Sequence, residues 1–206
     1  MILFFDTETT GIRKNGFVPR VVQIGALLTD DQGKTLAELN VLLKPEGFDH
    51  VPVEAANVHG FSYDLINTAG IDRSVGLVTF FELVDLADTL VAHNIEYDLD
   101  LMNIEIQERV NKSDPMTVFW KEALDKPEHF CTMINSRDTL KMPLSDAQAR
   151  FFRDTGNDQK FKNPRLVEAY RHFFHKDFEG AHDAMADVRA CRDVFFELHK
   201  LKQVAA

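Results

Sequence analysis

The apolar positions near the N-terminus form runs that predict β-strands. Residues 1–5 are all apolar, and such a run is typical of a strand buried on both faces at the centre of a sheet. Arg20–Thr29 and Lys34–Lys44 are also rich in apolar residues, and the turn signal Asp30–Gly33 separates them. The three segments therefore predict three sequential strands with antiparallel pairing.

The spacing of apolar residues changes to a helical period in the centre of the chain. A short helix is predicted at Pro52–Asn57, and amphipathic helices are predicted at Ser74–Ala87 and Ile95–Val110. The apolar segment Thr89–Ala92 lies just before the last of these and predicts a short strand. A strand, a turn and a helix in this order indicate a βα unit on the same sheet.

The C-terminal half is less regular. Three prolines interrupt Asn111–Lys160, which predicts helices joined by loops and not a separate domain. A helix is predicted at Pro164–His175, and a final helix follows the N-cap Asp183 and continues to about Lys202. The length of 206 residues fits one domain, which we expect to comprise residues 1–206.

Composition narrows the class of protein. The hydrophobic fraction of 45% and the charged fraction of 27% are ordinary for a globular protein. The net charge of −10 argues against a large surface for duplex DNA, but not against a small pocket that holds a few phosphates through metal ions.

Cys131 and Cys191 provide no disulfide framework, and neither a signal peptide nor a membrane segment is evident, so we expect a cytoplasmic protein. Cys191 is expected to be buried.

Two carboxylates follow the first apolar run. Asp6 and Glu8 are two residues apart, so their side chains project to the same side of a strand. Like charges at the end of a buried strand repel each other and lose hydration, and a divalent metal ion is the usual compensation.

Two further acids occupy unfavourable helical positions. Asp187 falls within the apolar stripe of the last helix, where an unpaired carboxylate costs several kcal/mol, although a buried ion pair with Arg or Lys is an alternative. Asp98 lies on the flank of an apolar stripe, and taken singly it is typical of a half-exposed acid on a helix edge. Asp100 lies further round and is expected to be solvated.

The unfavourable positions of the four acids are explained if their carboxylates converge in the folded protein. Carboxylate oxygens suit Mg²⁺ or Mn²⁺, and two such ions ~3.5–4 Å apart can activate a water and stabilise the leaving oxygen of a phosphodiester. His182 lies in a predicted loop, five residues before Asp187. A lone loop histidine is usually only a polar surface residue, but beside a metal-bound water it is a natural general base.

Three segments carry a resemblance to a known family. Phe5–Gly11, His93–Asp98 and His182–Asp187 resemble, in order, the three motifs of the DEDDh exonucleases, in which a histidine stands five residues before the last acid. The resemblance extends from residue 1 to about residue 200. It implies a ribonuclease H-like α/β fold, with a central mixed five-stranded sheet that begins with three antiparallel strands and is flanked by helices.

The resemblance also implies roles for individual residues. Asp6, Glu8 and Asp187 would bind one ion, and Asp6 would share the second ion with help from Asp98. His182 would deprotonate the attacking water. The residues implied to contact the terminal nucleotide are Thr9, Thr10 and Asn94, with His59 either assisting or remaining a solvated loop histidine.

The activity implied is metal-dependent 3′→5′ hydrolysis of single-stranded 3′ ends, with release of nucleoside 5′-monophosphates. DNA is favoured over RNA, because nothing in the sequence is recognisable as a reader of the 2′-hydroxyl. The alternatives are an exoribonuclease, a small-molecule nucleotide hydrolase, and a catalytically silent nucleic-acid-binding module on the same fold. The chain ends soon after the predicted final helix, so no polymerase-binding tail is expected.

Overall fold

A mixed five-stranded sheet forms the centre of the protein. The computed structural model describes the backbone of residues 1–205 and the side chains of residues 1–202. The spatial order is β3-β2-β1-β4-β5, with β1 antiparallel to β2 and parallel to β4. The strands are β1 (Ile2–Thr9), β2 (Val21–Thr29), β3 (Thr35–Leu42), β4 (Thr89–Ala92) and β5 (Glu128–Cys131).

Helices cover both faces of this sheet. They are α1 (Val53–His59), α2 (Tyr63–Ala69), α3 (Arg73–Asp85), α4 (Ile95–Val110), α5 (Thr117–Asp125), α6 (Thr132–Leu140), α7 (Asp146–Asp154), α8 (Leu166–Phe174) and α9 (Ala184–Ala205). Among the helices of residues 1–205, none is both long enough and apolar enough to cross a bilayer.

The side chains of β1 alternate between two apolar clusters. Leu3 and Phe5 are fully buried against the side of the sheet that carries α3, α4 and α5. Phe4 points to the opposite face, where its ring meets Phe195 of α9 edge-on at 5.3 Å. The prediction of a central strand buried on both faces is therefore confirmed. By the same alternation, Asp6 and Glu8 project to the side of α9.

Most predicted elements are present, with small shifts at their ends. The bounds of β4 and α4 are those predicted, and the three N-terminal strands pair as expected. β1 continues to Thr9, so Asp6 and Glu8 lie within the strand near its end, as expected. The seven-residue α2 was not predicted; it begins at the N-cap Ser62, whose hydroxyl accepts the N–H of Leu65 at 3.1 Å.

The prediction for Asn111–Lys160 is wrong in one respect. Besides helices, this segment contains β5, which pairs in parallel with β4 at the edge of the sheet. Glu128 and His129 are exposed, and only Phe130 and Cys131 contribute apolar surface. A four-residue edge strand of this kind has too few apolar positions to produce a recognisable pattern. Both cysteines are free, and Cys191 is buried as expected.

Candidate functional site

The start of α9 is fixed against β2 by close packing and hydrogen bonds. Gly25 makes the approach possible, since a Cβ there would lie 2.7 Å from the carbonyl carbon of Ala184. The side chain of Gln23 accepts the N–H of Ala184 at 3.0 Å and donates to Asp183 Oδ2 at 3.1 Å. Asp183 caps the helix as predicted, because its Oδ1 accepts the N–H groups of the first turn. Asp187, one turn further on, is thereby held above β1.

Asp187 lies beside Glu8 and His182. A carboxylate oxygen of each acid and a ring nitrogen of His182 lie within 4.8 Å of one another. The Oδ2 atom of Asp187 also accepts the backbone N–H of His182 at 3.1 Å. Among the described side chains, no Lys or Arg lies within ion-pair distance of Asp187. The alternative of a buried ion pair is therefore wrong.

Asp98 joins this group from the first turn of α4. The backbone N–H and the hydroxyl of Thr7 both donate to its Oδ1, at 3.1 and 2.8 Å. Asp98 is only 3% exposed, so the interpretation of this residue as a half-exposed acid on a helix edge is wrong. The reason is that α4 starts immediately after β4, and the parallel pairing of β4 with β1 brings this turn against the end of β1. Asp100 is exposed, as expected.

The electrostatics of the acids reflect their convergence. Burial raises the pKa of Asp6 well above its usual range, and the charges of Asp98, Asp187 and Glu8 raise it further. Burial and then the charge of Asp187 raise the pKa of Glu8 to about 8. Burial raises the pKa of Asp187 to about 6, and it also raises the pKa of Asp98. These carboxyl groups repel one another, and no Lys or Arg among the side chains of residues 1–202 forms an ion pair with them. A bound divalent ion stabilises carboxylates in such an environment.

His59 is placed differently from the solvated loop histidine considered above. It is the last residue of α1, is 8% exposed, and stacks on Phe61 at 5.0 Å. Its Nδ1 accepts the N–H of Phe61 at 3.0 Å, so the ring proton lies on Nε2 and is donated to the carbonyl oxygen of Thr9 at 3.1 Å. Burial lowers the pKa of His59, which favours this neutral form.

The two threonines at the end of β1 already have intramolecular partners. The hydroxyl of Thr9 donates to the carbonyl oxygen of Gly11 at 2.7 Å, and the hydroxyl oxygen of Thr10 accepts the N–H of Arg20 at 2.9 Å. Asn94 precedes α4 in the left-handed conformation, with φ of 75°. Its side chain is exposed and makes no capping bond in the part of the chain that the structure describes.

Two residues near the site had no predicted role. Gln23 is 3% exposed, and the signal for it was an amide within an otherwise apolar strand. The hydroxyl of Tyr97 donates to the carbonyl oxygen of Gly11 at 2.9 Å and fixes the turn after β1. No sequence signal indicated this bond, because the two residues are 86 positions apart.

An apolar cleft of about 320 Å³ opens beside Asp187 and His182. Its walls come from the end of β4, from α6 and from the segment that leads into α8. The residues that define it are His93, Met133, Pro164, Leu166, His182 and Asp187. Of the four acids, Asp187 borders this cleft directly.

A mixed sheet with converging acids at the tip of its central strand is the architecture of a metal-dependent nuclease domain. Comparison of the sequence with protein families agrees: the exonuclease family RNase_T matches residues 3–195. The chain belongs to this family.

Individual relatives match this chain over different fractions of its length. DNA polymerase III subunit epsilon of Treponema pallidum (strain Nichols) is 28% identical over 102 residues, which are 50% of this chain and 44% of that protein. The crystal structure of E. coli exonuclease I with a dA16 oligonucleotide matches with a TM-score of 0.65 and 18% identity, over 97% of this chain and 40% of that one. The zinc-bound E. coli exonuclease I–ssDNA complex matches with a TM-score of 0.69 and 18% identity, over 99% and 41%.

The chain thus spans less than half the length of these relatives. At such low identity the structural matches establish a shared fold. The predicted ribonuclease H-like class, with its mixed five-stranded sheet and flanking helices, is confirmed.

Proposed function

We propose that this protein is a divalent-metal-dependent 3′→5′ exonuclease that removes nucleotides from single-stranded 3′ ends. The observation that carries the proposal is the convergence of four carboxylates and one imidazole at the tip of β1. Membership of the exonuclease family supports the same chemistry, and use of divalent metal ions is consistent with that family.

The donor set fits Mg²⁺ or Mn²⁺, because the acids supply only hard oxygen ligands. Asp6, Glu8 and Asp187 would hold one ion, and Asp6 with Asp98 would hold a second. Two bound ions would polarise the scissile phosphate and stabilise the charge that develops on the leaving oxygen. The bonds from Thr7 restrict Asp98 to one orientation, which prepares its carboxylate for this role.

His182 is the general base in this proposal. Its ring nitrogen lies near the carboxylates of Glu8 and Asp187, and its side chain is exposed, so water and substrate can reach it. The imidazole accepts a proton from the water that attacks phosphorus. The bond from phosphorus to the 3′ oxygen of the penultimate nucleotide breaks, that oxygen takes up a proton, and the terminal nucleotide leaves as a 5′-monophosphate.

We assign the terminal nucleotide to the edge of the site formed by Thr9, Thr10 and Asn94, of which Asn94 is exposed and the two threonines are largely buried. Thr10 can donate its hydroxyl hydrogen to substrate, because the hydroxyl oxygen acts only as an acceptor in its bond with Arg20. Asn94 has an exposed amide beside Asp98 in the chain. His59 contributes through its bond to the carbonyl oxygen of Thr9, which helps to fix the backbone of Thr9 at this site.

DNA is the proposed substrate. The E. coli exonuclease I structures that share this fold contain dA16 and dT13 oligonucleotides, which supports single-stranded DNA here. The test is a panel of single and double strands of DNA and RNA, labelled at the 5′ or the 3′ end and incubated with Mg²⁺ or Mn²⁺. A ladder that shortens from the 3′ end of single-stranded DNA is expected; preferential shortening of RNA would assign the alternative substrate.

His182→Ala tests the role of the base. We expect turnover to fall ~10²- to 10⁴-fold, with Mn²⁺ affinity nearly unchanged, because the imidazole moves a proton and is not among the carboxylate ligands. Single-turnover hydrolysis and metal titration measure the two quantities. His172→Gln, which changes an exposed histidine of α8, is the control. Full activity in His182→Ala, or in Asp6→Ala, would refute the proposed mechanism.

A further inference from the structure

The segment between α6 and α8 forms a protrusion next to the cleft. Its two ends are joined where the N–H of Lys162 donates to the carbonyl oxygen of Met142 at 3.0 Å, beside an antiparallel bridge between Pro143 and Phe161. The cleft beside Asp187 is lined by α6 on one side of this junction and by residues 163–167 on the other. The protrusion, which carries α7, thus begins and ends next to elements that line the cleft.

The protrusion is basic in an acidic protein. Residues 141–165, between α6 and α8, contain six Lys and Arg against three Asp, a net charge of +3, while the whole chain carries −10. Lys141, Arg150, Arg153 and Lys160 are exposed and form no ion pair with any side chain of residues 1–202. Their charges are available to an external anion.

Aromatic side chains accompany these charges. Phe151 is 61% exposed, and its ring centroid lies 5.9 Å from that of Phe152. None of the nine residues of α7 is fully buried. An exposed phenylalanine with arginines on both sides combines an aromatic face, on which bases can stack, with cations that can neutralise the phosphates of a single strand.

We propose that Lys141, Arg150, Phe151, Arg153 and Lys160, here called the basic platform, bind the single strand on the 5′ side of the nucleotides in the active site. The inference rests on the proposed function and adds a second, sequence-independent contact to it. Single strands are favoured over duplexes because only unpaired bases present their faces for stacking on Phe151.

Equilibrium binding tests the platform apart from catalysis. Fluorescence anisotropy of 5′-labelled dT20 and dT3 is measured in EDTA, where hydrolysis is blocked. Arg150→Gln with Arg153→Gln is compared with Lys34→Gln plus Lys121→Gln, a double variant with the same charge change at exposed lysines that pair with no acid among the described side chains. Phe151→Ala tests stacking separately, and circular dichroism checks that every variant is folded.

The arginine variant is expected to weaken dT20 binding about tenfold and to reduce the salt slope of log Kd by about 1.4, at ~0.7 for each phosphate contact. Phe151→Ala should weaken dT20 binding about fivefold or more. Binding of dT3 should be unchanged, and the lysine control should alter dT20 binding less than about twofold.

Each contrary result has a defined meaning. If dT20 binds all variants equally, the platform does not hold the single strand and the inference is wrong. If dT3 binding falls as much as dT20 binding, these residues belong to the terminal-nucleotide site. If the platform binds dT20 as expected but no strand is cleaved with metal present, the proposed exonuclease activity is wrong, whereas strand binding by the basic platform is supported.

Discussion

Asp187 lies on the core-facing side of α9, where its carboxylate is surrounded by other acids. Its charge is unfavourable for folding in the absence of metal, and in the metal site proposed above a cation would compensate it. The same tension applies to Glu8 and Asp98, whose pKa values are also raised by burial. At the scale of single residues, the acids therefore lower the stability of the metal-free protein, and in the proposed metal site the same carboxylates would bind the cations.

Asp187→Asn separates these two effects. At pH 8 we expect the metal-free protein to gain roughly 1–2 kcal/mol in unfolding free energy, because a repelled charge is removed and solvent screens part of it. Mn²⁺ affinity and activity should fall together. Chemical denaturation in EDTA and calorimetric titration measure the two changes. Asp193→Asn, which alters an acid paired with Arg192 on the same helix, is the control and should leave Mn²⁺ affinity intact.

His93 provides a prediction on pH dependence. Its ring nitrogens contact the Thr132 hydroxyl and the Pro164 carbonyl oxygen, both at 2.9 Å, and burial lowers its pKa to about 4. Because an unfolded histidine has a pKa of about 6.5, the unfolded chain binds a proton between pH 6.5 and pH 4 that the folded protein does not. The stability that the neutral ring contributes is complete above pH 6.5 and is lost as the pH falls to 4.

We expect the difference in unfolding free energy between wild type and His93→Gln to shrink by about 2–3 kcal/mol over this range. Urea denaturation at steps of half a pH unit measures it, and the contributions of all carboxyl groups cancel in the difference. His129→Gln, which removes an exposed imidazole, is the control. If the difference in unfolding free energy does not vary with pH, His93 has the same pKa in the folded and unfolded states, and the prediction is wrong.

At the scale of elements, a buried ion network joins the helices to the sheet behind the site. Glu105 of α4 is fully buried and contacts Arg73 of α3 at 3.0 Å and Arg20, just before β2, at 2.9 Å. Burial alone would raise the pKa of Glu105, but the two guanidinium charges outweigh it and hold the pKa below its usual range. Since α4 also carries Asp98, this network helps to set the position of that acid relative to β1.

Glu105→Gln should therefore cost about 3–5 kcal/mol, because two buried cations lose their shared counter-charge. Denaturant titration gives the change in unfolding free energy. Asp100→Asn on the same helix breaks an exposed pair with Arg13 and should cost no more than about 1 kcal/mol. Equal effects of the two variants would contradict the importance assigned to the buried network.

The elements also show what the sequence could and could not predict. The bounds of β4 and α4 were predictable because their apolar periods change abruptly at residue 93. The acids themselves were identifiable from unfavourable positions and from three motifs in order. The burial of Asp98 and the bonds of His59 were not, since both depend on residues far away in the chain. β5 was missed because a short edge strand carries too little apolar pattern.

At the scale of the whole molecule, the helices pack on both faces of one sheet, and we propose that the chain unfolds as a single domain. One cooperative thermal transition is expected, with equal calorimetric and van't Hoff enthalpies. Mn²⁺ at 100 times its Kd should add about 2.7 kcal/mol per site, which is a shift of roughly 5–10 °C in Tm.

Asp6→Asn should abolish this shift, because Asp6 is the acid assigned to both ions. Asp64→Asn, at an exposed position of α2, should retain it. Two separate transitions would contradict the single domain, whereas one transition without a Mn²⁺ shift would contradict the metal site alone.

The backbone that carries the acids differs from the backbone that carries the imidazole. Asp6, Glu8, Asp98 and Asp187 belong to regular elements, whereas His182 lies in a turn with φ of 72°, a conformation that disfavours most residues. In the proposed mechanism, side-chain substitutions at residues 181 and 182 would therefore alter turnover more than cation binding, because the bond from this turn to Asp187 comes from the backbone N–H of His182. Natural variants that differ in turnover but share the same metal requirement should carry their substitutions in that turn.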